Sequence, residues 1–364
     1  MTRTSRERPR WCRARAGLAV VASLLLALAA CEVVLRLAGV APRAPAVSIG
    51  REPVVHEPDG VLGWHTIPGA YVLPPYVSGG ASAAVTIRSD GARATSSEPP
   101  ARARRVELVG CSFTFGWAVG DDATWAWHLQ QRRPELAVVN HGVNAYGTYQ
   151  SLLLLEQALA RGDRPERVIY GFHEVHEERN VAAPRWLAML DRLSHRGNVA
   201  VPYATLDASG ALERHPPERY PAWPLRDRLA TVAFLEDLYA ERAGAARVAE
   251  GRKVTERLLL EMRDLCARHG VTFDVVLLQA SPGVRRHYAK FLGRNGIPFA
   301  DCVVPITPQL RVPGEGHPNG VLHRQWAECV DARVLREPGQ AAAAAAPPST
   351  SFTHSSENAS RGAR

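Results

Sequence analysis

Four short β-rich runs, at 106–109, 137–140, 168–170 and 273–278, alternate with apolar helical stretches such as 148–160. This alternation narrows the choice of fold more than any other feature of the chain. Strands joined through helices pair in parallel, and a parallel sheet needs both faces covered. The expected fold class is α/β, a parallel sheet flanked by helices. About a hundred residues separate the third run from the fourth. Within them 184–193, 226–246 and 255–269 read as helical and 201–225 carries the turn-like PPERYPAWP, so a helical insertion is expected at about 181–250. Ahead of the sheet, 42–100 is rich in Pro, Gly, Ser and Ala, with extended pieces such as 84–88 ending in the turn Ser89-Asp90-Gly91. It reads as a β-hairpin-bearing arm. After Gly339 comes a low-complexity stretch without apolar periodicity, which cannot repay the entropy of ordering and is left out of the fold.

The first fifteen residues hold six Arg and one Glu, and so carry +5 of the formal net charge of +8. The body is nearly neutral and shows no basic aromatic stripe, zinc-finger spacing or RNP-like run, which argues against a nucleic-acid partner. An uncharged apolar stretch at 16–31 follows, then EVVLRLAGV, in which Glu32 and Arg36 interrupt a further apolar run. At about 1.5 Å per residue the uncharged stretch alone falls short of a ~30 Å hydrocarbon core. The longer segment 18–40 spans it if Glu32 and Arg36 snorkel at the far interface. The positive-inside rule then leaves the arginines in the cytoplasm and everything after Val40 outside. Two alternatives are a lipobox at Leu28-Ala29-Ala30-Cys31, with lipidation of Cys31, and a simply cleaved secretory signal. All three export the body.

On that topology Cys111, Cys266, Cys302 and Cys329 meet an oxidising compartment, and one disulfide is expected among the last three. No CxxC pair exists, so a structural zinc site is not expected. The run HEVHEERN at 173–180 places its two His three apart, where the HExxH zinc motif needs four. Directly after a strand it reads as a solvated loop, or else as part of a crevice wall. Trp117, Trp125 and Trp127 read as core and arm packing in preference to a sugar-stacking platform.

The segment richest in chemistry is VELVGCSFTFG at 106–116, a strand, a Gly, and then Ser112 in a tight turn before a helix. A Ser at the carboxyl end of a parallel strand lies where such sheets bind ligands, although a helix-capping Ser has the same local pattern. Near the C-terminus GEGHPN, at 314–319, precedes a helix beginning near Val321. A nucleophilic Ser needs a base within hydrogen-bond reach and a carboxylate to orient that base. His317 is a candidate base, and Glu315, two residues earlier, a candidate carboxylate. Cys111 has no His beside it in the sequence and is not taken as the nucleophile.

Together these segments resemble the SGNH (GDSL-type) hydrolases, in particular membrane-anchored bacterial members, from Glu32 to about Arg336. The run 32–37 (EVVLRL) is similar to the end of their anchor, and DGVLGW at 59–64 with Pro68-Gly69 to their D-x-x-L-G-W arm. SDGAR at 89–93 is similar to their N-x-x-G-x-R hairpin. Their first block, GDSxTxG, is matched by Gly110-Cys111-Ser112-Phe113-Thr114-Phe115-Gly116. The second, N-x-G-x-x-G-x-G, is matched by Asn140 to Gly147, and the last, a carboxylate before H-P-N, by Glu315-Gly316-His317-Pro318-Asn319. Cys111 departs from the usual Asp, Ala145 stands at the oxyanion Gly, and Gly171-Phe172-His173-Glu174 stands at the third block's G-x-N-D. Glu315 stands where Asp is usual.

The resemblance implies a flavodoxin-like SGNH core and a division into a cytoplasmic Arg-rich segment (1–15), an anchor or signal (16–40), a β-rich arm (41–103), a hydrolase-like domain (104–336) and a disordered tail (337–364). It implies acyl transfer from an O-acyl ester, borne by a small molecule or glycan, in the bacterial cell envelope, outside the inner membrane. Ser112 would attack, His317 would take its proton, Glu315 would hold the imidazole, and the N–H groups of Ser112 and Ala145 with the His173 ring would face the oxyanion. As a His donor, His173 is expected to titrate near neutral pH. No cofactor is implied. A sugar hydroxyl in place of water as acceptor would make the protein a polysaccharide O-acyltransferase, and loss of turnover would leave an envelope-anchored binding module.

Overall fold

The computed structural model describes residues 10–43, 52–98, 104–194 and 199–335. Most of the Arg-rich start and the whole of the 337–364 tail lie outside the described residues. Helix α1 (Arg10–Leu37) contains the segment Gly17–Leu37, long and apolar enough to cross a membrane and not buried against the body. The two charged residues of that segment, Glu32 and Arg36, do not snorkel freely. The Glu32 carboxylate accepts from the backbone N–H groups of Ala230 and Thr231 at 2.9 and 2.8 Å, while Arg36 donates to the Arg228 carbonyl at 2.8 Å.

The arm holds two antiparallel pairs, β1 (His56–Asp59) with β2 (Gly63–Thr66) and β3 (Gly69–Leu73) with β4 (Ala83–Ile87). Then come β5 (Arg104–Gly110), α2 (Ser112–Phe115), α3 (Trp125–Arg132), β6 (Leu136–Gly142), α4 (Thr148–Ala160) and β7 (Arg167–His173). After α5 (His176–Arg179) and α6 (Pro184–Leu193), β8 (Val201–Leu206) and β9 (Leu212–Glu218) form a hairpin, and α7 (Ala230–Arg268) leads back to the sheet. The chain closes with β10 (Thr272–Gln279), α8 (Pro282–Arg294), β11 (Phe299–Asp301) and α9 (Gly320–Arg333).

The central sheet runs β11-β10-β7-β5-β6, with every pair parallel. Numbered by appearance along the chain and read from β6, its strands stand in the order 2-1-3-4-5. The chain leaves β5 for one neighbour and later returns to its other side, so the loops after β5 and β7 diverge and open a crevice at the carboxyl end of β5. Tyr170 and Phe172 pack with Leu152 and Leu155 of α4 and Leu258 and Met262 of α7, while Ile169, Leu108 and Val276 pack with Trp125 of α3 and Trp326 of α9. Burial on both faces is why these strands are nearly continuous apolar runs.

Three expectations change. The segment 201–225 contains the β8–β9 hairpin, hidden by Pro216 and Pro217, which disfavour a strand. The helical stretches at 226–246 and 255–269 are one 39-residue helix, α7. Within it Gly244 and Gly251 are contact points: a Cβ on them would lie 2.6 Å from Pro184 and 2.5 Å from the Glu177 carbonyl. The run 173–180 is not a solvated loop, because His176 and Asn180 are fully buried. Asn180 donates to the Thr148 and Thr255 hydroxyls and accepts from the Tyr149 N–H, tying α5 to α4 and α7. The disulfide joins Cys302 to Cys329; Cys266 is buried and unpaired, its thiol pushed up to about 12 by that burial.

Candidate active site

Strand β5 ends at Gly110 with φ +151°, where a Cβ would collide with the Thr114 hydroxyl and lie 2.9 Å from the Gly171 carbonyl of β7. Only glycine lets the next turn sit down so closely on two strand ends. Buried Asn140 fastens that turn from β6, donating to the Thr114 carbonyl at 2.9 Å and accepting from the Gly142 N–H at 3.0 Å. From the arm, fully buried Arg93 donates to the carbonyls of Phe115, Gly116 and Val119 and pairs with Asp121 at 3.0 Å. Ser112 is thereby presented at the mouth of the crevice, only 6% exposed.

The loop before α9 delivers the second part. Asn319 caps α9 by accepting from the N–H groups of Val321 and Leu322, and its amide donates to the Gln309 carbonyl at 2.8 Å. The Val312 N–H donates to the His317 carbonyl at 2.7 Å, which closes the loop and aims the imidazole inward. His317 Nε2 lies 2.9 Å from Ser112 Oγ, and His317 Nδ1 lies 2.6 Å from Glu315 Oε1. Glu315 Oε2 accepts from the His317 N–H at 2.7 Å, so one carboxylate fixes both the ring and its backbone. With Nδ1–H donated to the Glu315 carboxylate, Nε2 offers its lone pair to the Ser112 hydroxyl.

The positions expected to face an oxyanion lie around this pair. Ala145 adopts φ +70° in the turn after β6, a left-handed conformation that costs an L-residue about 1–2 kcal/mol. The turn is held by Trp64 Nε1 donating to the Asn144 carbonyl at 3.0 Å and Arg179 donating to the Tyr146 carbonyl at 2.9 Å. Among the described residues no acceptor takes the N–H of Ser112 or of Ala145. Since glycine carries no such penalty, Ala145→Gly is expected to stabilise the protein by about 1 kcal/mol in denaturant unfolding while leaving the turn's shape intact.

His173 closes the other side, its ring 4.6 Å from that of Phe113, which in turn lies 5.7 Å from His317. His173 Nδ1 accepts from the Val175 N–H at 3.2 Å, leaving Nε2 as the protonated donor. Burial, with the charges of Arg179 and His317, lowers the His173 pKa to about 3. This corrects the expectation of titration near neutrality: a ring enclosed beside a guanidinium stays neutral. His176 points away from the crevice, fully buried, with Nδ1 2.6 Å from the Tyr170 hydroxyl and accepting from the His173 N–H. It is a core histidine, held neutral first by burial and then by Arg179. The unfolded chain protonates these rings below about pH 6.5 while the folded chain does not. Their contribution is therefore complete above that pH and erodes as pH falls below it.

Cys111 is buried at the N-cap of α2. Trp125 is fully buried, its indole N–H donating to the Phe113 carbonyl at 3.1 Å, and Trp117 packs on the Val85 and Phe115 cluster of the arm. Arg93, Asn140 and Asn180, which hold the frame of the site, carried no functional expectation of their own. Arg93 and Asn140 had a signal, their places in the hairpin motif and the second block, but their targets were not readable.

Sheet and site together define an α/β protein with a Ser–His pair at the carboxyl end of a parallel strand. No protein-family model and no curated protein matches the chain. Among solved structures it is similar to a member of the lipolytic protein G-D-S-L family from Veillonella parvula DSM 2008, at 11% identity and TM-score 0.37, over 64% of this chain and 99% of that one. A psychrotrophic esterase from Pseudoalteromonas sp. matches at 8% identity and TM-score 0.35, over 64% and 100%. A catalytic mutant of an acetylxylan esterase from Geobacillus stearothermophilus matches at 12% identity and TM-score 0.35, over 64% and 95%. At such values likeness carries no functional argument, which rests on the geometry of the site.

Proposed function

We propose that the chain is a serine ester hydrolase of the SGNH type, and the observation that carries this reading is the relay from Ser112 through His317 to Glu315 at 2.9 and 2.6 Å. His317 Nε2 removes the Ser112 proton as Oγ attacks the ester carbonyl, and Glu315 stabilises the imidazolium that forms. The Ser112 and Ala145 N–H groups and the His173 Nε2–H are the donors to the oxyanion. The same imidazolium then protonates the leaving alkoxide, and water repeats the sequence on the acyl-enzyme. We read the 2-1-3-4-5 strand order as the flavodoxin-like core of that superfamily. We also keep the division at 15, 40, 103 and 336, with α1 as the anchor and the body outside the inner membrane. An O-acyl ester of an envelope small molecule or glycan is the proposed substrate class.

Against a binding module without turnover stands the intact relay, which a module has no need to keep. Labelling the full chain with a fluorophosphonate ester separates the two, since only an activated Ser reacts. Stoichiometric labelling that disappears in Ser112→Ala is the expected result. An unlabelled folded protein would refute the hydrolase.

A further inference from the structure

Where α1 meets the body, the helix is tied down before its apolar segment ends. Glu32 is spent on the Ala230 and Thr231 N–H groups and the Thr231 hydroxyl, so the polar end of the span is fixed to the first turn of α7. Just after α1, Arg43 turns back onto the start of α7, donating its backbone N–H to the carbonyl of Arg226, just ahead of that helix, at 2.8 Å and pairing with Glu236 and Asp237 on it. The uncharged stretch ahead of Glu32, 16–31, rises only about 24 Å as helix, about 6 Å less than the hydrocarbon core. Either the bilayer thins or the body sinks into it.

The body is built for the second outcome. Trp223, Leu225 and Leu229 just before α7 and Phe234, Leu235 and Tyr239 in its first turns are each between 36% and 56% exposed. They bracket the Glu32-bound amides, and the Trp223 and Tyr239 rings lie 5.7 Å apart. Large apolar groups at this density are unusual on a free surface, and Trp and Tyr beside apolar side chains suit the headgroup boundary. The shortfall of about 6 Å falls within the ~5–10 Å to which an amphipathic face embeds.

We propose that the segment 223–239 is an interfacial collar that seats the body in the outer leaflet of the bilayer its anchor crosses. The occupant is lipid, because the patch is continuous with the end of the span and the Glu32 contact holds it beside the bilayer that the apolar helix crosses. The proposal rests on the reading of α1 as a membrane anchor.

Nitroxide labels placed singly at Leu25, Leu235 and Val248, in the full chain with Cys12 and Cys31 replaced by alanine, test this in phosphatidylcholine–phosphatidylglycerol vesicles. All three side chains are exposed, and Val248 lies about 20 Å further along α7. Collision with oxygen relative to a water-soluble nickel chelate is expected to be severalfold higher at Leu235 than at Val248, and highest at Leu25. With Leu25 in lipid, a Leu235 label as wet as that at Val248 would overturn the collar alone. A Leu235 label closed to both reagents would assign the patch to a protein partner and overturn the lipid seat. A wet Leu25 label would overturn the anchor, and the collar with it.

Discussion

Replacing Ser112 or His317 by alanine is expected to lower kcat on a chromogenic acyl ester by about 10^4-fold or more, equivalent to about 5 kcal/mol of transition-state stabilisation. The reason is the shared proton. The Ser112 hydroxyl meets its acceptor, His317 Nε2, at 2.9 Å, and without it the hydroxyl is as poor a nucleophile as any serine. Because the two act as a unit, the double variant should be no slower than either single one. Glu315→Gln should lose less, since the amide oxygen can still accept from Nδ1–H while the charge that favours the imidazolium is gone. Single-turnover and steady-state rates, with circular dichroism to show retained folding, check the series. Unchanged turnover in Ser112→Ala would remove the assignment.

The second large effect is expected at His173. If its Nε2–H faces the developing oxyanion, His173→Ala should lower kcat by about 10^2- to 10^3-fold, or about 3 to 4 kcal/mol, with little change in KM. His173→Asn, which keeps an N–H donor, should retain far more. Since His173 is held neutral, with its pKa lowered to about 3, wild type and His173→Asn should share the same acid limb between pH 5 and 8. An acid limb in that range that vanishes in the Asn variant would show that the ring does titrate there. Full activity in His173→Ala beside a crippled but folded His176→Ala would move the donor to the second histidine.

The four long strands of the sheet were legible because burial makes most of their residues apolar and β-branched, even though Glu107, Asn140 and Asp274 interrupt β5, β6 and β10. Strand β11 is three residues long and β9 contains two prolines, so neither leaves a period-2 signal. The run at 173–180 misleads for a different reason. Its charges and amides are satisfied by partners far along the chain, as with Glu177, which accepts from Arg252 and from the Tyr288 hydroxyl. Residue types at the site could be read locally, but Ser112 and His317 stand 205 positions apart and meet only through the sheet and the α9 cap. The His173 tautomer follows from the Val175 N–H, a backbone contact that no motif encodes.

Arg93 has a consequence for how the chain must be built. It joins Asn140 of β6 by a backbone bridge, and two residues later the Thr95 hydroxyl donates to the Val138 carbonyl at 2.7 Å. Since β6 is the outermost strand on its side, the arm lies along an edge that would otherwise be a template for pairing with another chain. The side chain that holds this cover in place is the one that satisfies three carbonyls of the loop behind the nucleophile. Protection against aggregation and assembly of the reactive turn are therefore one event in folding. A chain that begins at Arg104 would lose both together, with the three loop carbonyls and Asp121 stripped of Arg93 and the β6 edge laid open, and is expected to self-associate.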